Sequence, residues 1–193
     1  MKTYSTLLLL FIITSLKSYS QNANEFRIYY GFVDSKLLSS KELDGGASYD
    51  NSNSYEFGFK YLKKLSNKLS VETGINFIRA KVKITPEFMG TPVNSSQEDL
   101  KLVSIPFYVN YCFGKYFYIN GGPTLDFQKG EKSFDSQSGI GYSLGVGGKY
   151  NFKNFLIYIN PNFKRHSLIS FEKENHYQKL TQFGIQIGIG YKF

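Results

Sequence analysis

The last twelve residues, Gln182 to Phe193, alternate without a break. One parity reads Phe183, Ile185, Ile187, Ile189, Tyr191 and Phe193, and the other Gln182, Gly184, Gln186, Gly188, Gly190 and Lys192. Successive side chains of a strand point to opposite faces, so this segment has one wholly apolar face and one polar, glycine-rich face. A helix could not sort these residues, because its period is 3.6.

The same two-residue period recurs through the chain. Phe26, Ile28, Tyr30 and Phe32 alternate with Glu25, Arg27, Tyr29 and Gly31, and Tyr55 to Tyr61 and Leu69 to Phe77 follow suit. So do Val103 to Tyr111, Phe117 to Phe127, Ile140 to Tyr150 and Phe155 to Phe163. With the final segment, eight strands are predicted. The 16 Tyr, 18 Phe and 18 Gly support strands over helices. Short turns are expected at Lys63 to Lys68, Gly114-Lys115 and Asn151 to Asn154. Long polar loops are expected at Val33 to Asn53, Lys81 to Asp99, Gln128 to Ser138 and Arg165 to Lys179. An even strand number with alternating short and long connections is the rhythm of a transmembrane barrel. Pro106, Pro123 and Pro161 interrupt it and are expected at strand ends, bulges or lightly paired sites.

A soluble barrel that carries a ligand also alternates, with apolar residues inside. The polar parity here mixes glycine with Glu56, Lys60, Glu72 and Lys149, which suits a narrow, filled lumen. The apolar parity collects Tyr61, Tyr111, Phe113, Phe117, Tyr150, Phe155, Tyr191 and Phe193 at the short-turn side, as an interfacial girdle would. The apolar face is therefore read as facing lipid. The fold expected is all-β: a closed eight-stranded antiparallel up-and-down transmembrane β-barrel over residues 21–193.

Residues 1–20 read as a signal peptide. Lys2 precedes the apolar run Leu7 to Ile13, and Ser18 and Ser20 stand three and one before Gln21, where cleavage is expected. The run is shorter than the roughly 20 residues a spanning helix needs. Cys112 is the only cysteine, so stability must come from packing and hydrogen bonding rather than disulfides. Removing Lys2 and Lys17 with the leader lowers 23 basic residues to 21 against 15 acidic ones. That excess is dispersed, unlike the basic face of a nucleic-acid binder, and no nucleic acid is expected as partner.

Two regions carry a resemblance. The ending QIGIGYKF places Gln186, Gly188, Tyr191 and Phe193 where they resemble the last-strand signal read by the barrel-assembly machinery. The stretch Leu102 to Gly122, with Ile105-Pro106 and continuing from Asn120 to Pro123, resembles the hairpin of the PorT-like outer-membrane β-barrel proteins. The resemblance implies a cell outer-membrane barrel of a Gram-negative bacterium and leaves the molecular role open.

Candidate chemistry is sparse. His166 and His176, with Ser167, Ser170, Glu172 and Glu174, could form a hydrolase or zinc constellation in the last loop, but a polar loop is a poor frame for catalysis. Asp44, Asp50, Asn51 and Asn53 around Gly45-Gly46 lack a calcium-loop pattern. Gly145 to Gly148 lie inside an alternating strand, not between a strand and a helix as a phosphate loop requires. No enzyme activity, cofactor or metal is expected. The inward cations Arg27, Lys60, Lys149 and Lys164 are expected to neutralise Glu56, Glu72 and Asp126 across the lumen, with Cys112 as an inward packing residue. Arg79, Lys81 and Lys83 are candidates for lipid phosphate. The expected role is a scaffold whose extracellular loops bind lipopolysaccharide or another outer-membrane lipid, a surface ligand or a partner protein. The alternatives are a narrow transport channel or secretion-system accessory and, further off, a lipid-modifying enzyme.

Overall fold

The computed structural model describes residues 24–39, 48–85, 96–130, 135–172 and 178–193. The signal peptide expected over 1–20 lies outside the described residues, as do Asp44, Gly45, Gly46, Glu174 and His176. Eight antiparallel strands close into a barrel: β1 (Glu25–Ser39), β2 (Ser48–Lys64), β3 (Leu69–Thr85), β4 (Ser96–Phe113), β5 (Phe117–Lys129), β6 (Gly139–Phe152), β7 (Phe155–Ser170) and β8 (Gln178–Lys192). Each pairs with its sequence neighbour, and β1 with β8 closes the ring through fifteen residue pairs from Glu25↔Lys192 to Ser39↔Gln178. Closure is what hydrocarbon demands, because each unpaired backbone group there costs several kcal/mol.

The alternation resolves with the greasy parity outside. Phe32, Ile187 and Phe155 are 63%, 52% and 59% exposed, whereas Arg27, Glu56 and Gln186 beneath the same wall are at most 2% exposed. The short turns lie at 65–68, 114–116 and 153–154, at the end where Asn24 and Phe193 exchange backbone hydrogen bonds of 2.9 and 3.0 Å. Gly114 at φ 71° and Lys153 at φ 52° make the two tightest of them.

The expected long loops are corrected. Strands continue to Ser39, Thr85, Lys129 and Ser170 and begin as early as Ser48, Ser96 and Gln178, so the walls are 13 to 18 residues long. About 9 to 11 residues suffice to cross a bilayer. Beyond the apolar band both faces meet water, so the backbone stays paired while the side-chain contrast that reveals a strand fades.

Pro106, Pro123 and Pro161 all sit in these walls. In the β3–β4 ladder the pairs pass from Thr73↔Phe107 to Asn76↔Ser104, skipping Pro106, and in β4–β5 from Pro106↔Thr124 to Val109↔Gly121, skipping Pro123. The β6–β7 ladder passes from Gly145↔Asn162 to Gly148↔Ile159, skipping Pro161. Each proline keeps its partner on the other side, where no N–H is required of it.

Candidate functional site

The lumen is built from the inward parity in four levels. At mid-height Glu56 and Lys60 of β2, Glu72 of β3, Lys164 of β7 and Gln186 of β8 meet. Lys164 is ion-paired with Glu56, and Lys60 Nζ lies 3.0 Å from Glu72 Oε1. Lys60 also donates to Gln186 Oε1 at 2.8 Å, and Gln186 Nε2 donates to Glu56 Oε1 at 2.8 Å, joining the two pairs. Asn110 Nδ2 donates to Glu72 Oε2 at 3.1 Å. These side chains are almost wholly buried, and charges so far from water are tolerated only when matched. Two carboxylates face two ammoniums here.

Toward the short-turn end the partners differ from those the sequence suggests. Arg27 is ion-paired with Glu25, which Lys149 Nζ approaches at 3.4 Å and Lys192 Nζ at 4.0 Å, so neither Arg27 nor Lys149 reaches Glu56, Glu72 or Asp126 as partner. The reason is register: Glu25 lies two residues from Arg27 on the same inward face, one level below the belt. The Arg27 guanidinium lies 4.9 Å from the ring centroid of Tyr158 and 5.5 Å from that of Tyr118. Cys112 packs partly buried against this cluster, as its parity predicts.

Toward the other end, Asp126 is held by His166 rather than by a lysine. His166 Nδ1 lies 2.9 Å from Asp126 Oδ2, and Nε2 lies 2.8 Å from Gln182 Oε1, whose amide donates to Ser35 at 2.8 Å. His166 is thus a buried residue of β7 and not a loop residue; it continues the inward parity of Lys164. A bulge follows, where Gly141 alone opposes three residues of β7, and Ser167 takes φ 50°. Ser167 Oγ points to the carbonyls of Ser136 and Ser138, at 3.5 and 3.3 Å, and both His166 nitrogens are engaged elsewhere. No serine is activated by this histidine. Among the described residues no three His, Cys, Asp or Glu side chains converge on a metal position.

Above this level Leu37, Ile78, Ala80, Leu100, Leu102 and Leu180 form an aliphatic plug across the lumen. Gln137 locks the β5–β6 connection to the start of β8: its amide donates to the Gln178 carbonyl at 2.9 Å and its Oε1 accepts from Leu180 N at 2.7 Å.

The outer wall at the long-connection end carries a different arrangement. Tyr55, Arg79, Lys101 and Lys129 stand directly opposite one another across β2, β3, β4 and β5, with Lys81 opposite Asp99 one step beyond. Arg79 is ion-paired with Asp99, and its Nε is buried without an acceptor among the described residues. Two residues toward the bilayer centre come Phe57, Phe77, Val103 and Phe127. Between the two rows lies a groove of about 260 Å³. Of the three cations marked in the sequence, Arg79 lies on this row and Lys81 is exposed beside it, while for Lys83 the backbone alone is described, in β3 opposite Gln97. Lys101 and Lys129 were not singled out by sequence reasoning, because only the register makes them neighbours of Arg79.

On β8, Gln186 belongs to the belt. Gly188 leaves room for Tyr158, since a Cβ would lie 2.6 Å from that ring. Tyr191 packs edge-on against Phe155 on the outer wall, with ring centroids 5.2 Å apart, and Phe193 is exposed near Tyr61.

Residues 5–193 match a family model described as outer membrane protein beta-barrel domain. No curated protein sequence matches the chain. Among solved structures, the outer membrane protein AlkL in lipid bilayers is similar at 14% identity and a TM-score of 0.57, with 92% of this chain and 93% of that one covered. Ail, the attachment invasion locus protein of Yersinia pestis, in complex with the heparin analogue sucrose octasulfate, gives 15% identity, 90% and 100% coverage and a TM-score of 0.48.

Proposed function

The chain belongs to the outer membrane protein beta-barrel domain family, and from that premise we propose that it is a plugged, non-enzymatic scaffold whose extracellular end carries the binding. The observation behind this reading is the filled lumen: an aromatic and arginine level, a neutral ion-paired belt and an aliphatic plug follow one another along its length. Eight strands enclose space for side chains, and a solute would have to displace paired charges that cannot re-pair elsewhere. Function then moves to the rim and the long connections, where a rigid frame can present variable residues. The short-turn end, with both described chain ends, faces the periplasm in this reading. The chain arrives there after removal of residues 1–20 and is folded by the barrel-assembly machinery reading Gln186, Gly188, Tyr191 and Phe193. The resemblance of its β4–β5 hairpin, from Leu102 to Pro123, supports kinship with the PorT-like proteins.

Planar-bilayer recording of the refolded protein tests the reading. No conductance is expected from the wild type, and Leu100→Ala together with Leu180→Ala is expected to leave the membrane sealed because the ion-paired belt remains. Stable single-channel steps from the wild type would replace the scaffold by a channel.

A further inference from the structure

Like charges directly opposite on neighbouring strands repel, and their Cβ atoms are only about 5 Å apart. Arg79, Lys101 and Lys129 are three such cations in succession, and Asp99, the carboxylate that the described residues place among them, is already engaged by Arg79. The repulsion is not relieved by depth in water, because the next outward row toward the membrane is Phe57, Phe77, Val103 and Phe127. A cationic row set on an apolar groove of about 260 Å³ has the shape to receive an acylated anion. Arginine supplies a planar fork for phosphate oxygens, and the two lysines that follow it along the row supply mobile charge.

We propose that Arg79, Lys101 and Lys129 form a headgroup site for a phosphate-bearing lipid of the outer leaflet, one of whose acyl chains lies in the groove beneath. A membrane lipid fits where a soluble anion does not, because the groove opens sideways onto the apolar wall and its floor is Phe57, Phe77 and Val103. Asp99 competes with the phosphate for Arg79 and weakens the site. Lys81, opposite Asp99 and one step beyond the row, adds long-range attraction.

The test is native mass spectrometry of the barrel released from phosphatidylcholine nanodiscs that contain a minority of phosphatidic acid. The wild type is expected to retain phosphatidic acid. Lys101→Gln is expected to weaken retention about fivefold and the triple replacement R79Q/K101Q/K129Q about a hundredfold, from the usual contribution of each cation near an anionic lipid. Asp99→Asn is expected to strengthen it, a direction that general loss of structure cannot produce. Lys153→Gln, in the β6–β7 turn at the opposite end, serves as control and retains lipid as the wild type does. Folding of each variant is read from gel mobility before and after boiling. Retention by the triple variant equal to the wild type overturns the proposal. So does a wild-type barrel that takes up inorganic phosphate from phosphatidylcholine discs as readily as phosphatidic acid, which would mark a free-phosphate site, or one that leaves the discs as a dimer with the row covered.

Discussion

The belt inside the barrel and the row on its outer rim hold similar residues in opposite states. Inside, Lys60 and Lys164 each face a carboxylate, and Gln186 ties the two pairs together. Outside, Arg79, Lys101 and Lys129 share one carboxylate among the described residues. The difference follows from solvent. A charge in the lumen must be matched by the chain itself, since nothing else reaches it, whereas a charge at the bilayer surface can be matched from the membrane. Internal pairing therefore speaks of stability, and the unmatched rim speaks of a partner.

The sharpest way to break this contrast is to unbalance the belt. Glu56→Gln keeps the shape of the side chain but leaves Lys164 buried with no counter-charge, and is expected to cost about 3–5 kcal/mol. Replacing Lys164→Met in the same chain is expected to recover most of that loss, because an apolar residue of similar length needs no partner. Urea unfolding in lipid vesicles, followed by the mobility of unboiled samples, measures both. Equal loss in the single and double variants would mean that the belt acts through volume and not through charge.

A smaller effect separates close packing inside the wall from space outside it. A Cβ on Gly147 would lie 2.3 Å from Tyr118 Cζ, and that ring packs against Arg27, so Gly147→Ala is expected to cost about 1–3 kcal/mol. The neighbouring Gly148 faces the outer wall, where the nearest atom to a Cβ is Ile159 Cγ2 at 3.8 Å. Gly148→Ala is expected to leave the unfolding midpoint in place. Similar losses at both positions would show that backbone strain, not the lumen, sets the cost.

How much of this was legible in the sequence depends on which interaction each feature needs. Parity is local, so the lipid-facing and lumen-facing sets, Cys112 and the level of Glu56, Lys60 and Glu72 could be read along single strands. Strand ends could not, because Asp34 to Ser39 and Lys81 to Thr85 run past the apolar band and lose the contrast between faces. Cross-strand partners were out of reach for another reason. The register that sets Lys101 between Arg79 and Lys129 is fixed by turns and by closure of the ring, not by the residues themselves. Polar composition puts His166 in a loop, whereas continuing the parity of Lys164 by one step turns it inward. The bulge at Ser167, which ends that parity, carries no sequence signal of its own.

The smallest expected effect sharpens the comparison from the outer side. If the rim is completed by lipid, its contribution to stability belongs to the membrane and appears only when the lipid is present. Binding to the folded barrel alone raises its stability by mass action, in proportion to the logarithm of ligand over dissociation constant. In phosphatidylcholine, Lys101→Gln is therefore expected to unfold with the wild type, or slightly later once the repulsion among Arg79, Lys101 and Lys129 is relieved. With phosphatidic acid added, the wild type is expected to gain a few degrees and the variant less, and the gap is expected to close as salt screens the exposed charges. The Glu56→Gln variant behaves in the opposite manner, with a loss that neither lipid composition nor salt repairs, because its unmatched Lys164 is buried beyond the reach of both. A salt-insensitive gap at Lys101 would place that residue with the belt instead, as part of the packing of the wall.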